Sequence, residues 1–142
     1  DGAMDRIPLD DRLEIQELVA RYAFRCDTRR YDEIAAVFTD DGVFDETIIG
    51  LPLCRGRKAI GDFFCSIGPA VGFIFHLNGN HQFTAFDGTH ASRTTHLLAE
   101  GDFQSRSVRI IGYYADDYAK VDGQWLIRTR KLVAITPPTG FA

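Results

Sequence analysis

Residues 108–136 read VRIIGYYADDYAKVDGQWLIRTRKLVAIT. Two runs rich in β-branched and aromatic residues flank one Asp122-Gly123 pair, a dipeptide that suits a two-residue hairpin turn because both positions tolerate positive φ. The stretch is therefore two antiparallel strands, Val108–Val121 and Gln124–Thr136, closed by Pro137-Pro138. Toward the N-terminus, Ala91–Glu100 reads as another strand, and Gly101-Asp102 begins its turn. Phe73–Phe86 precedes it, joined through Asp87-Gly88. Four long strands in one meander need an apolar layer to cover one face.

The upstream sequence supplies that layer. From Asp11 to Asp27 the residues Ile15, Leu18, Val19, Tyr22, Ala23 and Cys26 recur at three- and four-residue steps, the stripe of an amphipathic helix. Asp10 or Asp11 suits its N-cap, and Glu14 stands in capping-box relation to Asp11. A second short helix carries Tyr31, Ile34, Ala35 and Phe38, and ends before a turn at Asp40-Asp41-Gly42. Val43-Phe44-Asp45 opens a short strand. A third helix runs from Lys58 to about Ser66 with Ile60, Phe63 and Phe64 inward, stopped by Gly68-Pro69. The predicted class is α+β: three N-terminal helices packed on one face of a curved antiparallel sheet of about four long strands plus short ones.

Composition narrows the function. The 142 residues are 45% hydrophobic, which suits a single domain, and eleven Phe against one Met and one Trp suggest a core or pocket walled by flat apolar rings. A net charge of −4, with no basic run longer than Arg55-Gly56-Arg57-Lys58, speaks against nucleic acid. No stretch approaches the roughly 20 apolar residues of a membrane span, and no signal peptide is visible, so a cytoplasmic protein is expected. Asp1-Gly2-Ala3-Met4 reads as a tag remnant and start Met, leaving 5–142 as the domain. Three cysteines without CxxC spacing read as free thiols. No Gly-rich phosphate cradle, HxH or HExxH is present, so neither cofactor nor metal is expected, although His76, His96 and Asp27 would make a two-His, one-carboxylate set if they met.

One residue breaks the first helix's pattern. One step past Ala23, the apolar face lands on Asp27, and a carboxylate entering a core costs about several kcal/mol unless something pairs with it. His76, inside the apolar run Ile74-Phe75-His76-Leu77, is the leading partner. A shielded Asp beside a His is how a general acid/base pair is built.

The chain resembles the SnoaL-like group of the nuclear transport factor 2-like superfamily over Leu13 to Pro137. The residues that carry the resemblance are Ile15-Gln16-Glu17-Leu18-Val19-Ala20-Arg21-Tyr22, then Tyr31-Asp32-Glu33 before Phe38-Thr39-Asp40-Asp41-Gly42. Gly56-Arg57-Lys58-Ala59-Ile60, His76-Leu77-Asn78-Gly79-Asn80 and Asp122-Gly123-Gln124-Trp125 complete the series. The resemblance implies a cone-shaped sheet enclosing an apolar cavity. Within the superfamily, scytalone dehydratase, bile-acid 7α-dehydratase and lindane dehydrochlorinase place a His–Asp pair where His76 and Asp27 stand. It further implies Tyr22 facing the substrate, with Arg130 in the last strand or His96, a second polar catalytic group, assisting the leaving group. Strand alternation puts Arg128 on the same side as Arg130, so the choice between the two arginines stays open. The implied activity is a cofactor-independent lyase, a dehydratase cleaving a carbon–oxygen bond in a small hydrophobic cyclic or aromatic substrate. An isomerase, an epoxide hydrolase or cyclase, and a non-catalytic binding or assembly module are the alternatives the same fold hosts. A homodimer or homotrimer is expected, because Ile110, Ile127 and Val133 are assigned to a sheet face that three short helices leave uncovered.

Overall fold

Helix α1 spans Leu9–Asp27 and buries Ile15, Leu18, Val19, Tyr22, Ala23 and Cys26, the six residues of its apolar stripe. This computed structural model describes residues 6–137, so the tag remnant at 1–4 and Pro138 lie outside the described residues. The helix start differs from the capping-box expectation: Pro8 holds the N-cap with no side-chain hydrogen bond. Asp11 Oδ1 instead accepts from Trp125 Nε1 at 2.9 Å and from Lys120 Nζ at 3.3 Å. A carboxylate free of the cap thus pins the helix to the final hairpin.

The second expected helix is realised as two 3₁₀ turns, Tyr31–Glu33 and Ala35–Val37, with Ile34 fully buried between them. Phe38 leaves that segment and opens strand β1, Phe38–Asp45. Asp40-Asp41-Gly42 is not a turn between elements. It lies inside β1, where the pairing with the last strand shifts register between Phe38 and Val43. Strand β2 is Cys54–Arg55, and helix α2, Arg57–Ile67, buries Ile60, Phe63 and Phe64.

Strands β3 (Val71–Phe86), β4 (His90–Phe103), β5 (Arg106–Val121) and β6 (Gln124–Ala134) form the meander. The six strands make one curved sheet in the order β2-β1-β6-β5-β4-β3, open at β2 and β3. It is mixed, because β1 runs parallel to β6 while every other pair is antiparallel. The helices α1 and α2 lie against one face, so the α+β class holds.

Asp122 and Gly123 both take positive φ, 51° and 80°, as a two-residue hairpin requires. Gly101-Asp102, in contrast, is not the β4–β5 turn. The strand continues to Phe103, and Gln104 and Ser105 turn the chain at φ 53° and 62°. Gly101 serves a close approach instead: a Cβ there would lie 2.3 Å from the Phe73 carbonyl oxygen.

Ile110 and Ile127 belong to the covered face, 5% and 0% exposed, and not to the open one. The alternation along β5 sends Val108, Ile110, Gly112 and Tyr114 inward, leaving Ile111 and Tyr113 half-buried outside, with Val133 beside them on β6. Phe73, Phe75 and Leu77 on edge strand β3 are exposed. Among the described residues, no helix is long and apolar enough to cross a membrane.

Candidate active site

The end of α1 is turned onto β3 by local chemistry. Thr28 Oγ1 donates to the Phe24 carbonyl at 2.6 Å, Arg29 adopts φ 63°, and its guanidinium donates to the Gly72 carbonyl. Asp27 then meets His76. Its Oδ2 accepts the His76 backbone N–H at 3.0 Å, and Oδ1 lies 2.6 Å from ring Nδ1. A carboxylate only accepts, so Nδ1 carries the shared proton and Nε2 is the ring nitrogen left over. Both side chains are largely shielded, 10% exposed for His76 and 19% for Asp27. His76 lies in the wall between an interior cavity and an outer groove of α1 and β3, while Asp27 borders the groove.

The cavity holds about 80 Å³ and is walled mainly by rings and aliphatic groups, among them Phe64, Ile74, Leu97 and Ile110. Tyr22 lines it, its ring edge-on to His76 at 6.1 Å and to Tyr114 at 6.3 Å. Burial drives the phenols of Tyr22 and Tyr114 well above their ordinary pKa, so both remain neutral donors. The Tyr114 hydroxyl is buried without a protein partner, as is that of Tyr31, and both residues line the cavity.

Glu46 is another lining residue, and sequence reasoning passed over it. It directly follows β1 and is only 8% exposed. Burial pushes its carboxyl up to about 7, against the pull of the Arg130 charge. Strand parity puts Glu46 on the side of Phe44, and the structure buries Gly42, Phe44 and Glu46 in that alternation. The same alternation places Tyr114 inward with Ile110.

Arg130 and His96 are placed differently from expectation. Arg130 is 0% exposed, its Nε and Nη2 donating to Asp116 Oδ1 and Oδ2 at 3.0 and 2.8 Å. Its Cζ lies 4.5 Å from the Tyr22 ring centre and 3.9 Å from that of Tyr114. It therefore stacks behind the two rings and does not line the cavity. Arg128 is exposed, although regular alternation gives it the same side as Arg130. The pairing steps from Asp117↔Thr129 to Tyr118↔Ile127, which leaves Arg128 as a bulge and resets the alternation of β6.

His96 faces outward, its ring 6.4 Å from that of Tyr113, because Thr95 and Leu97 take the covered side of β4. It joins neither Asp27 nor His76, so the two-His, one-carboxylate set does not assemble. Among the described residues, no three His, Cys, Asp or Glu side chains are grouped to hold a metal ion.

The fold, a curved sheet over helices, is shared with an ntf2-like protein of cystatin-like fold from Novosphingobium aromaticivorans, at a TM-score of 0.72 and 20% identity over 89% of this chain and 83% of that one. The chain belongs to the SnoaL-like domain family, whose model matches residues 8–131. It is 30% identical over 126 residues to an uncharacterised protein of Mycobacterium tuberculosis, a match covering 86% of this chain and 84% of that protein. The crystal structure of a candidate aromatic ring hydroxylase from Novosphingobium aromaticivorans is similar at a TM-score of 0.90 and 29% identity, covering 95% of this chain and 96% of that one. A candidate scytalone dehydratase from the same organism is similar at 0.81 and 25% identity, over 90% and 86% of the two chains.

Proposed function

We propose that the protein is a cofactor-independent lyase, a dehydratase acting on a small hydrophobic cyclic or aromatic substrate. The observation that carries this reading is the 2.6 Å contact of His76 Nδ1 with Asp27 Oδ1, where His76 stands in the wall of a ring-lined cavity. His76 Nε2 takes the proton next to an electron-withdrawing group. Asp27 holds the ring in the tautomer that leaves Nε2 basic, and stabilises the imidazolium that forms. Tyr22 and Tyr114 donate hydrogen bonds to the substrate oxygen as negative charge develops there. The neighbour named as a candidate scytalone dehydratase supports elimination of water, and the one named for an aromatic ring supports a ring-shaped ligand.

The test is turnover of β-hydroxycyclohexanone and larger cyclic β-hydroxy ketones by wild type, Asp27→Asn and His76→Gln. Both variants are expected to fold and to lose about 10²–10⁴ in rate, the share of a positioned proton-transfer group. Full activity in either removes the pair from the mechanism.

The proposal extends to assembly and location. Exposed Phe73, Phe75 and Leu77, continuing to half-buried Ile111 and Tyr113, support a homodimer or homotrimer through the outer sheet face. Light scattering that reports a monomer across micromolar concentrations contradicts this. Three free cysteines support a reducing compartment, the cytoplasm.

A further inference from the structure

We infer that Glu46 is a second catalytic residue, the acid that protonates a departing hydroxyl in the cavity that His76 also lines, so the substrate of this cavity carries oxygen and not halogen as its leaving group. This rests on the lyase reading above and adds to it the identity of the acid and the leaving-group class.

An oxygen leaving group needs a proton, because hydroxide departs poorly from carbon, whereas a halide departs as a stable anion. The residues expected to assist departure are not placed to do so. His96 is on the outer face, and Arg130, whose guanidinium does not release protons, is held by Asp116 through two hydrogen bonds. The phenols of Tyr22 and Tyr114 are driven further from proton release by burial.

Among the described residues Glu46 has the buried carboxyl on the cavity surface; Asp102, which also lines it, is half-buried. It directly follows β1, which lies beside edge strand β2, while His76 stands on the opposite edge strand β3, and both residues line the cavity. Among the described residues, no ion pair involves Glu46. The buried Arg130 charge acts on it without forming a close ion pair, and burial outweighs that attraction.

The groups that act on it are known from every side. Arg130 of β6 favours its ionised form and neighbouring Asp45 opposes it. Tyr22 and Cys26 of α1 and Tyr114 of β5 each feel its charge. His76 of β3 and Asp102 of β4 border the same cavity. Burial dominates and holds the carboxyl near 7, where it can be protonated in a neutral cell.

The step balances without a redox partner. His76 Nε2 takes the C–H proton, and the C–H electrons become the new C=C bond. The C–O bond breaks toward oxygen, which receives the Glu46 proton and leaves as water. Imidazolium and carboxylate then exchange one proton through solvent to reset the site.

Two measurements on the full chain test this. First, β-hydroxycyclohexanone and β-chlorocyclohexanone are compared in wild type, Glu46→Gln, Glu46→Asp and His76→Gln. Glu46→Gln is expected to lose about 10²-fold or more on the hydroxy ketone, to stay within about threefold of wild type on the chloro ketone, and to lose the alkaline limb of the pH–rate profile. Glu46→Asp is expected to restore part of the rate. His76→Gln is expected to fail on both substrates. Equal losses on both substrates in Glu46→Gln, or full activity on the hydroxy ketone, overturn the assignment of Glu46 and leave the His–Asp pair standing. Activity of His76→Gln on both overturns the pair itself.

The second measurement needs no turnover: infrared titration of the wild-type carboxylic-acid carbonyl stretch. A band lost with a midpoint near 7, and absent from Glu46→Gln, is expected. A wild type with no such band above pH 6 overturns the proposal even if the Gln variant does not fold.

Discussion

Two pairs of one carboxylate and one nitrogen base flank Tyr22. The His76 ring lies edge-on to it at 6.1 Å, and the Arg130 guanidinium lies over its face at 4.5 Å. Asp27 and His76 keep 19% and 10% of their side chains exposed, while Asp116 and Arg130 keep none. The chemistry of the two bases differs as sharply as their access. Imidazole exchanges a proton near neutral pH, whereas guanidinium stays charged throughout. The sealed pair therefore works as scaffold: Asp116 fixes Arg130, and Arg130 backs the rings that face the cavity. A carboxylate beside a cation marks a reactive site only when the partner can give up its proton where substrate can reach it.

The largest expected effect comes from the accessible pair. Asp27→Asn and His76→Gln should each lower the rate by about 10²–10⁴, and the double variant should be little worse than either alone, because the two act as one unit. Urea unfolding should move far less than the rate does. A double variant whose losses multiply would split the pair into independent groups.

The sealed pair should respond in the opposite way. Asp116→Ala leaves Arg130 buried without the carboxylate that accepts two of its hydrogen bonds. Loss of about 3–5 kcal/mol of stability is expected, as for other broken buried pairs. Urea midpoints measure this, and a variant as stable as wild type would end the distinction between scaffold and site.

Glu46 sharpens the comparison through pH. Its carboxyl is raised from the ordinary 4.5 to about 7 in the folded chain. Between those values the folded state holds a proton that the unfolded state has released, so stability falls as pH rises through this window and levels off above it. At ~1.4 kcal/mol per pH unit the loss is about 3 kcal/mol. Wild type and Glu46→Gln, unfolded in urea at pH 5 and pH 8, should differ by that order. A pH-independent difference would mean the carboxyl is not raised.

The smallest effect is expected on the outer face. His96→Ala should leave stability within about 0.5 kcal/mol, as for an exposed surface position, and leave the rate unchanged. A large loss of rate would return His96 to the chemistry.

Much of this molecule can be read from local periodicity. The α1 stripe ending at Asp27, the inward trio Ile60, Phe63 and Phe64, the Asp122-Gly123 hairpin and the helices-then-meander order all follow from residues a few positions apart. Such patterns depend on backbone geometry, which neighbouring residues set for themselves. The tertiary structure decided what they could not. It chose which face of β4 is covered, and so turned His96 away; it introduced the bulge at Arg128 that buries Arg130; it laid β1 parallel to β6; and it carried Glu46 into the cavity. Periodicity states which residues share a side, but burial, pairing and register are settled by strands distant in the chain. The charge and reach of Glu46, Arg130 and His96 depend on those long-range contacts.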